Sequence, residues 1–208
     1  WEWVILRPEF ANARYFLDKH SKLKTQNSKL HILVTMGGSD PAGLTLKAVE
    51  ALNMLPIAFK ATIVLGPGFV HKESLKALLQ EVHYEYNILE NVSDMVPVMA
   101  QADFAVASFG VTAYELAAMG VPAIYLCLTE DHLESAKEMV NSKASYCACL
   151  YEKCATDLFQ RKIADSIKTL KIFKQNSPDL NILIDGNGTV RIVEKIFNYI
   201  SCSHNLSK

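Results

Sequence analysis

The feature that most limits how this chain can fold is a series of short apolar runs, each followed by a helix-like segment. The runs are Leu30–Met36 (LHILVTM), Lys60–Gly66 (KATIVLG), Tyr84–Leu89 (YEYNIL), Asp103–Ser108 (DFAVAS), Pro122–Leu128 (PAIYLCL) and Ala144–Leu150 (ASYCACL). Between them, Ala42–Leu55, Lys72–Gln80, Val92–Ala100, Thr112–Ala118 and Leu133–Asn141 carry apolar residues three and four apart, the period of a helix with one buried stripe. Four of the six runs are almost continuously apolar. A strand with one wet face alternates in polarity, whereas a strand covered on both faces does not, and strands of the second kind occur in parallel sheets sandwiched by helices. The alternation therefore predicts an α/β fold, a Rossmann-like doubly wound parallel sheet. A further amphipathic helix is predicted at Thr156–Phe173. After a polar connection comes a closing helix at Thr189–Ile200, and the tail, residues 202–208, is expected to fray.

Composition narrows the function classes. The 208 residues are 50% hydrophobic and 21% charged, the profile of a globular chain long enough to bury a core. A formal net charge of -1 offers no general attraction to nucleic acid or anionic lipid, so no nucleic-acid role is expected. No apolar run has the 18 or so residues a membrane span needs. Five cysteines without a C-x-x-C pair argue against a disulfide framework or zinc site and for reduced thiols in a cytoplasmic protein. The cluster YCACLYEKC reads as a partly buried strand, since a free cysteine packs like a small hydrophobe. Histidine spacing indicates no metal, and no cofactor is called for. The start, WEWVILRPEF, lacks an initiator Met and opens on a strand-like run, which suggests a segment of a longer chain.

In such a sheet, ligands bind beyond the carboxyl ends of the strands. Four of the loops there carry polar or small residues. Gly37-Gly38-Ser39-Asp40 lets backbone approach a ligand and leads into a helix N-terminus, although it is neither G-x-G-x-x-G nor a P-loop. Asp40 is expected to cap that helix, with Pro41 at its first position. Ser108, Gly110 and Thr112 form a second small-residue entry to a helix. Glu115 follows Thr112 at capping-box spacing, so it is open as either a cap partner or a carboxylate for a ribose diol. Asn91, Val92 and Ser93 form a turn whose backbone suits a planar base, with helix capping the alternative for Asn91 and Ser93. Thr129–His132 crowd polar groups at another strand end, where Asp131 is expected to cap the next helix and His132 is either a ligand contact or a surface residue. The loop GPGFVHK, Gly66–Lys72, has no assigned chemistry.

The sequence GGSD, then NVSDM and MAQADFAVASFGVTAYELAAMGVPAI, then EDH with a following SA, resembles the C-terminal half of GT-B enzymes. The glycosyltransferase family 28 C-terminal domain, which binds the nucleotide sugar in the undecaprenyl-linked N-acetylglucosaminyltransferases, is one such group. The UDP-sugar hydrolases of pseudaminic acid biosynthesis, with related spore-coat polysaccharide proteins, are more similar, because LRPEF (Leu6–Phe10) and the Thr45–Lys47 helix also match. The resemblance covers roughly Trp3 to Met139. It implies that Gly37, Gly38 and Ser39 line a diphosphate, that backbone around Asn91 and Val92 meets uracil, and that Ser108, Gly110 and Thr112 approach the phosphates. It implies Glu115 for the ribose hydroxyls and His132 and Glu134 for the sugar, with His132 departing from the family's usual amide. It also implies residues 1–28 as a crossover strand and helix from an N-terminal domain, 29–201 as the nucleotide-sugar-binding domain, and a UDP-sugar as ligand. The general base belongs to the N-terminal domain, so no catalytic residue is expected here and the chain is expected to need that missing domain.

Overall fold

A computed structural model describes residues 2–12, 29–141, 145, 147–153, 155–173 and 184–205. Six strands form one parallel sheet: β1 (Leu30–Thr35), β2 (Phe59–Leu65), β3 (Glu85–Glu90), β4 (Phe104–Ser108), β5 (Ala123–Cys127) and β6 (Cys147–Leu150). Their order across the sheet is β3-β2-β1-β4-β5-β6. The connecting helices are α1 (Leu44–Asn53), α2 (Lys72–Leu79), α3 (Val96–Gln101), α4 (Val111–Ala118) and α5 (Glu130–Asn141), followed by α6 (Thr156–Phe173) and α7 (Gly188–Asn205). The expected doubly wound parallel sheet is the fold observed.

Successive residues of the central strands feed opposite layers, as the pleat requires. Ile32 and Val34 of β1, Phe104 and Val106 of β4, and Ile124 and Leu126 of β5 pack with Leu44, Val49 and Leu52 of α1 and Phe159 and Ile163 of α6. Their neighbours Leu33, Ala105, Ala107, Ala123 and Tyr125 pack with Met99 of α3, Ala113 and Leu116 of α4 and Met139 of α5. Both faces are therefore dry, which is why these strands are predominantly apolar, with His31 and Thr35 of β1 as buried polar exceptions; each fully buried Ile, Leu or Phe contributes roughly 1.5–3 kcal/mol relative to exposure. Alanines at 105, 107, 113 and 123 let α4 lie close on the sheet. Cys149 of β6 is buried in the core on one side of the sheet, in line with the strand reading of its cluster, and Cys127 of β5 is buried on the other. β3 is the exception: it is an edge strand with almost every residue exposed.

Several local expectations need correction. Residues 2–7 form no strand, Pro8–Asn12 is a 3-10 helix, and the helix expected before residue 28 lies outside the described residues. Helix α3 starts at Val96, four residues later than expected, because residues 91–95 form a turn and Pro97 suits the first helical turn. Helix α1 starts at Leu44, so Pro41 lies in the preceding turn and not at the first helical position. Helix α7 runs on to Asn205, past the expected end at Ile200, and residues 206–208 lie outside the described residues. No helix among the described residues is long and apolar enough to cross a membrane.

The two ends of the described chain meet. Gly188, at the start of α7, approaches Val4 so closely that a Cβ there would lie 2.1 Å from the Val4 carbonyl oxygen. Arg191 donates to the Glu2 carbonyl at 3.0 Å and pairs with Asp185, while the Lys195 ammonium lies 4.8 Å from the Trp3 ring centroid.

Candidate functional site

The strand order reverses direction between β1 and β4, the position at which the carboxyl-end loops diverge and leave a crevice. The loops bordering it are Gly37–Asp40 after β1 and Phe109–Gly110 after β4. They meet: a Cβ added to Gly37 would lie 3.8 Å from Ser108 Oγ. Gly37, Gly38 and Ser39 are exposed, and the space in front of Gly38 and Gly110 is open to a distance of 4 Å from an added Cβ.

The backbone of this loop has a definite polarity. The Gly68 N–H donates to the Gly38 carbonyl at 2.9 Å, and the Gly37 carbonyl also faces the turn at Gly66–Gly68. No peptide bond among the described residues is cis, so the N–H following each carbonyl points the opposite way. Gly38 and Ser39 therefore present successive N–H groups away from that turn, and neither has an acceptor among the described residues. Consecutive unbonded N–H groups at a strand end make a concavity suited to an anion. Asp40 does not compete for it. Its backbone is left-handed (φ 45°), its side chain is buried, and its carboxylate accepts from Leu44 N at 2.7 Å and Thr45 N at 2.8 Å. The expected capping is observed, reached from four residues upstream. Its consequence is that two N–H groups at the start of α1 are occupied by Asp40, leaving the 37–39 backbone as the donor.

Across the crevice, Gly110 is the N-cap of α4 and no side chain caps it. Thr112 lies inside the helix, so the capping-box alternative for Glu115 fails. Glu115 instead accepts from Arg7 Nε at 2.9 Å through Oε1, with its side chain only 6% exposed. Arg7 Nη1 also donates to the Ser93 carbonyl at 3.0 Å and pairs with Glu9 at 3.2 Å. Thus Arg7 joins Glu115 to the turn containing Asn91 and Val92. Asn91 is left-handed (φ 52°) and donates its N–H to the Leu65 carbonyl at 3.0 Å, while Val92 packs against the core. Neither Asn91 nor Ser93 caps α3; the Asp94 carboxylate does, accepting from Val96 N at 2.9 Å.

At the next strand end, Thr129 caps α5 through the His132 N–H at 3.2 Å, and Asp131, expected as the cap, lies in the first helical turn. The His132 ring sits 6.2 Å from Phe109, whose ring also meets Tyr114 and Tyr125 edge-on. His132 Nδ1 is buried and has no hydrogen-bond partner among the described residues. Glu134 is exposed on α5. The structure thus sets Gly37, at the head of the 37–39 loop, beside Ser108, links the 91–93 turn to Glu115, and sets His132 beside Phe109. Among the hydrogen bonds and ion pairs of the described residues, none ties Glu134 to the other candidates. Sequence reasoning passed over Arg7, Phe109 and the Gly66–Gly68 turn as site residues; Arg7 was visible only inside LRPEF, and the glycines only as a loop of unspecified chemistry.

Residues 14–180 match the glycosyltransferase family 28 C-terminal domain. The spore coat polysaccharide biosynthesis protein SpsG of Bacillus subtilis (strain 168) is 29% identical over 199 residues, which cover 92% of this chain and 55% of that protein. The UDP-N-acetylglucosamine--N-acetylmuramyl-(pentapeptide) pyrophosphoryl-undecaprenol N-acetylglucosamine transferase of Polaromonas naphthalenivorans (strain CJ2) is 26% identical over 148 residues, 68% of this chain and 39% of the enzyme. Among solved structures, MurG of Acinetobacter baumannii superposes with a TM-score of 0.75 at 18% identity, covering 91% of this chain and 55% of that one. The UDP-GlcNAc 2-epimerase of Neisseria meningitidis bound to UDP-GlcNAc gives 0.56 at 17%, covering 91% and 52%. These likenesses to solved structures are likenesses of fold. The chain spans about half the length of the first of these curated relatives and less of the second. With its parallel sheet, its crevice at the β1–β4 reversal and a sequence match over residues 14–180, the chain belongs to the glycosyltransferase family 28 C-terminal domain family.

Proposed function

We propose that this chain is the UDP-binding half of a nucleotide-sugar hydrolase, acting on an activated amino sugar in surface-polysaccharide or pseudaminic-type acid biosynthesis. The observation that carries the reading is the pair of unbonded N–H groups at Gly38 and Ser39 facing open space beside Ser108. In this reading the diphosphate lies on Gly37, Gly38, Ser39, Ser108, Gly110 and Thr112. Uracil meets the backbone at Asn91 and Val92, and the ribose hydroxyls donate to Glu115. His132 and Glu134 lie toward the sugar. Water attacks the anomeric carbon, the bond from that carbon to the β-phosphate oxygen breaks, and UDP leaves with the electron pair. Backbone donors aimed at the departing diphosphate favour this step because they are fixed before the charge develops. The proton lost by water goes to a base in an N-terminal domain, which the length of the relatives supports. The exposed apolar residues Val193, Ile196, Phe197 and Ile200 of α7 give that domain a surface to pack on.

Membership of a glycosyltransferase family favours a second reading, in which this is the donor-binding domain of a GT-B transferase and an acceptor hydroxyl replaces water. A non-catalytic binding module of the same fold is the third. Titration calorimetry of the 208-residue chain tests the binding claim common to the first two: saturable UDP binding, weakened at least tenfold by Glu115→Ala, is expected. Absence of binding, or binding indifferent to Glu115, overturns it. Product analysis with the full-length protein then separates free sugar from glycoside.

A further inference from the structure

The turn Gly66-Pro67-Gly68, at the end of β2, lies against the anion-facing loop without contributing a group to its open side. A Cβ on Gly66 would sit 2.3 Å from the Gly38 carbonyl oxygen and 2.5 Å from the Gly37 carbonyl oxygen, far inside contact distance and against backbone. On Gly68 a Cβ would reach Ser39 Cβ at 3.0 Å and the Gly38 carbonyl oxygen at 3.3 Å. The Gly68 N–H meets the Gly38 carbonyl at 2.9 Å, and the Phe69 N–H returns to the Gly66 carbonyl at 3.1 Å, closing the turn. Phe69 is buried in the core, and the His71 Nε2 lies 3.2 Å from the Pro41 carbonyl, so the turn is fixed from below and from its far end.

Two polar directions follow from this contact. A planar trans peptide holds its C=O and N–H antiparallel, so pulling the Gly37 and Gly38 carbonyls onto the turn drives the Gly38 and Ser39 N–H groups into the crevice. A peptide flip at either position would instead aim a carbonyl oxygen at the place of the diphosphate, replacing an attractive dipole by a repulsive one. The close approach of two backbones is the use for which a residue without a side chain is required.

We infer that Gly66 and Gly68 are positioning residues for diphosphate binding: the absence of side chains there sets the backbone orientation of Gly37–Ser39, and hence affinity for the phosphates as opposed to the nucleoside. The inference rests on the proposed placement of the diphosphate. It separates two parts of the ligand, because the uracil and ribose contacts, at Asn91–Val92 and Glu115, lie on other loops.

The test compares wild type, Gly66→Ala and the milder Gly68→Ala for binding of UDP and of uridine, by calorimetry and by NMR titration of the 208-residue chain, with thermal unfolding as a check of folding. Gly66→Ala is expected to weaken UDP at least tenfold and uridine less than twofold, with Gly68→Ala intermediate. Unchanged UDP affinity in folded Gly66→Ala overturns the inference while leaving the nucleotide reading intact, as does an equal loss for UDP and uridine. Should Gly66→Ala fail to fold, Gly68→Ala decides by the same ratio. If wild type binds neither ligand, the nucleotide reading itself falls and the inference with it.

Discussion

Arg7 and Glu115 are 108 residues apart, yet Nε of one donates to Oε1 of the other at 2.9 Å, and the same guanidinium holds the Ser93 carbonyl. The carboxylate is nearly inaccessible, while the Arg7 side chain keeps 38% of its exposure. The segment preceding the sheet is thereby tied to both flanks of the proposed nucleoside site. Removing the guanidinium would leave a buried carboxylate without its charge partner, which is costlier than losing an exposed ion pair. Arg7→Ala is expected to lower stability by about 1–3 kcal/mol in urea unfolding, with Arg7→Lys recovering only part, because an ammonium cannot reproduce the fork that reaches both acceptors.

Asp40 makes a second separable prediction. Its two carboxylate oxygens satisfy the Leu44 and Thr45 N–H groups from a left-handed residue. Asp40→Ala leaves both donors unbonded and places alanine at a positive φ. A loss of about 1–2 kcal/mol is expected from the cap alone, read as a fall in thermal midpoint. Asp40→Asn, which tolerates the backbone and keeps one acceptor, should lie between the two.

Acid should loosen the junction between the chain's N-terminal segment and α7. The Arg191 guanidinium bonded to Asp185 holds its carboxyl well below the usual carboxylate range, with the Asn187 N–H adding to the effect. The folded chain thus keeps this proton off where the unfolded chain would take it up. The resulting stability is complete above about pH 4 and is lost as pH falls below it. Both partners are exposed enough for solvent to screen the pair, so the contribution is small. Asp185→Asn should flatten that part of the stability–pH curve, measured by denaturant midpoints from pH 2 to 7.

Tyr125 is fully buried beneath α4 and donates its hydroxyl to the Ala113 carbonyl at 3.3 Å. Burial, with smaller effects from Tyr114 and Cys127, pushes its phenol far above the ordinary tyrosine range, and burial does the same for Tyr84. Ultraviolet titration of the folded protein should show these two phenols ionising at higher pH than the remaining tyrosines. Tyr125→Phe leaves the Ala113 carbonyl with no acceptor role toward a side chain, and a destabilisation of about 1 kcal/mol is expected.

The element types are already legible in the order of the residues. Runs such as LHILVTM and PAIYLCL are almost continuously apolar because both faces of β1 and β5 are covered, and that requirement is local enough to be read from residue order. YEYNIL belongs to the same sheet but lies at its edge, and the polar residues of that strand, Glu85, Asn87 and Glu90, reflect that position. Asp40 was legible as a cap because a carboxylate ahead of a helix has few other uses, although the left-handed turn that carries it was not. Which strand ends become neighbours depends instead on long-range pairing across the sheet. Parallel strands pair through backbone groups that every residue possesses, so the period of the side chains does not say that β1 lies beside β4. That pairing sets Gly37 against Ser108, and the adjacent β1–β2 pairing sets Gly66 against the Gly37 and Gly38 carbonyls. Thr112 and Glu115 looked like a capping box by spacing, and only the start of α4 at Val111, with Arg7 arriving from another segment, gave that carboxylate a different partner. The direction of a peptide dipole depends on what lies across from it, and in this chain the group across from it comes from another loop.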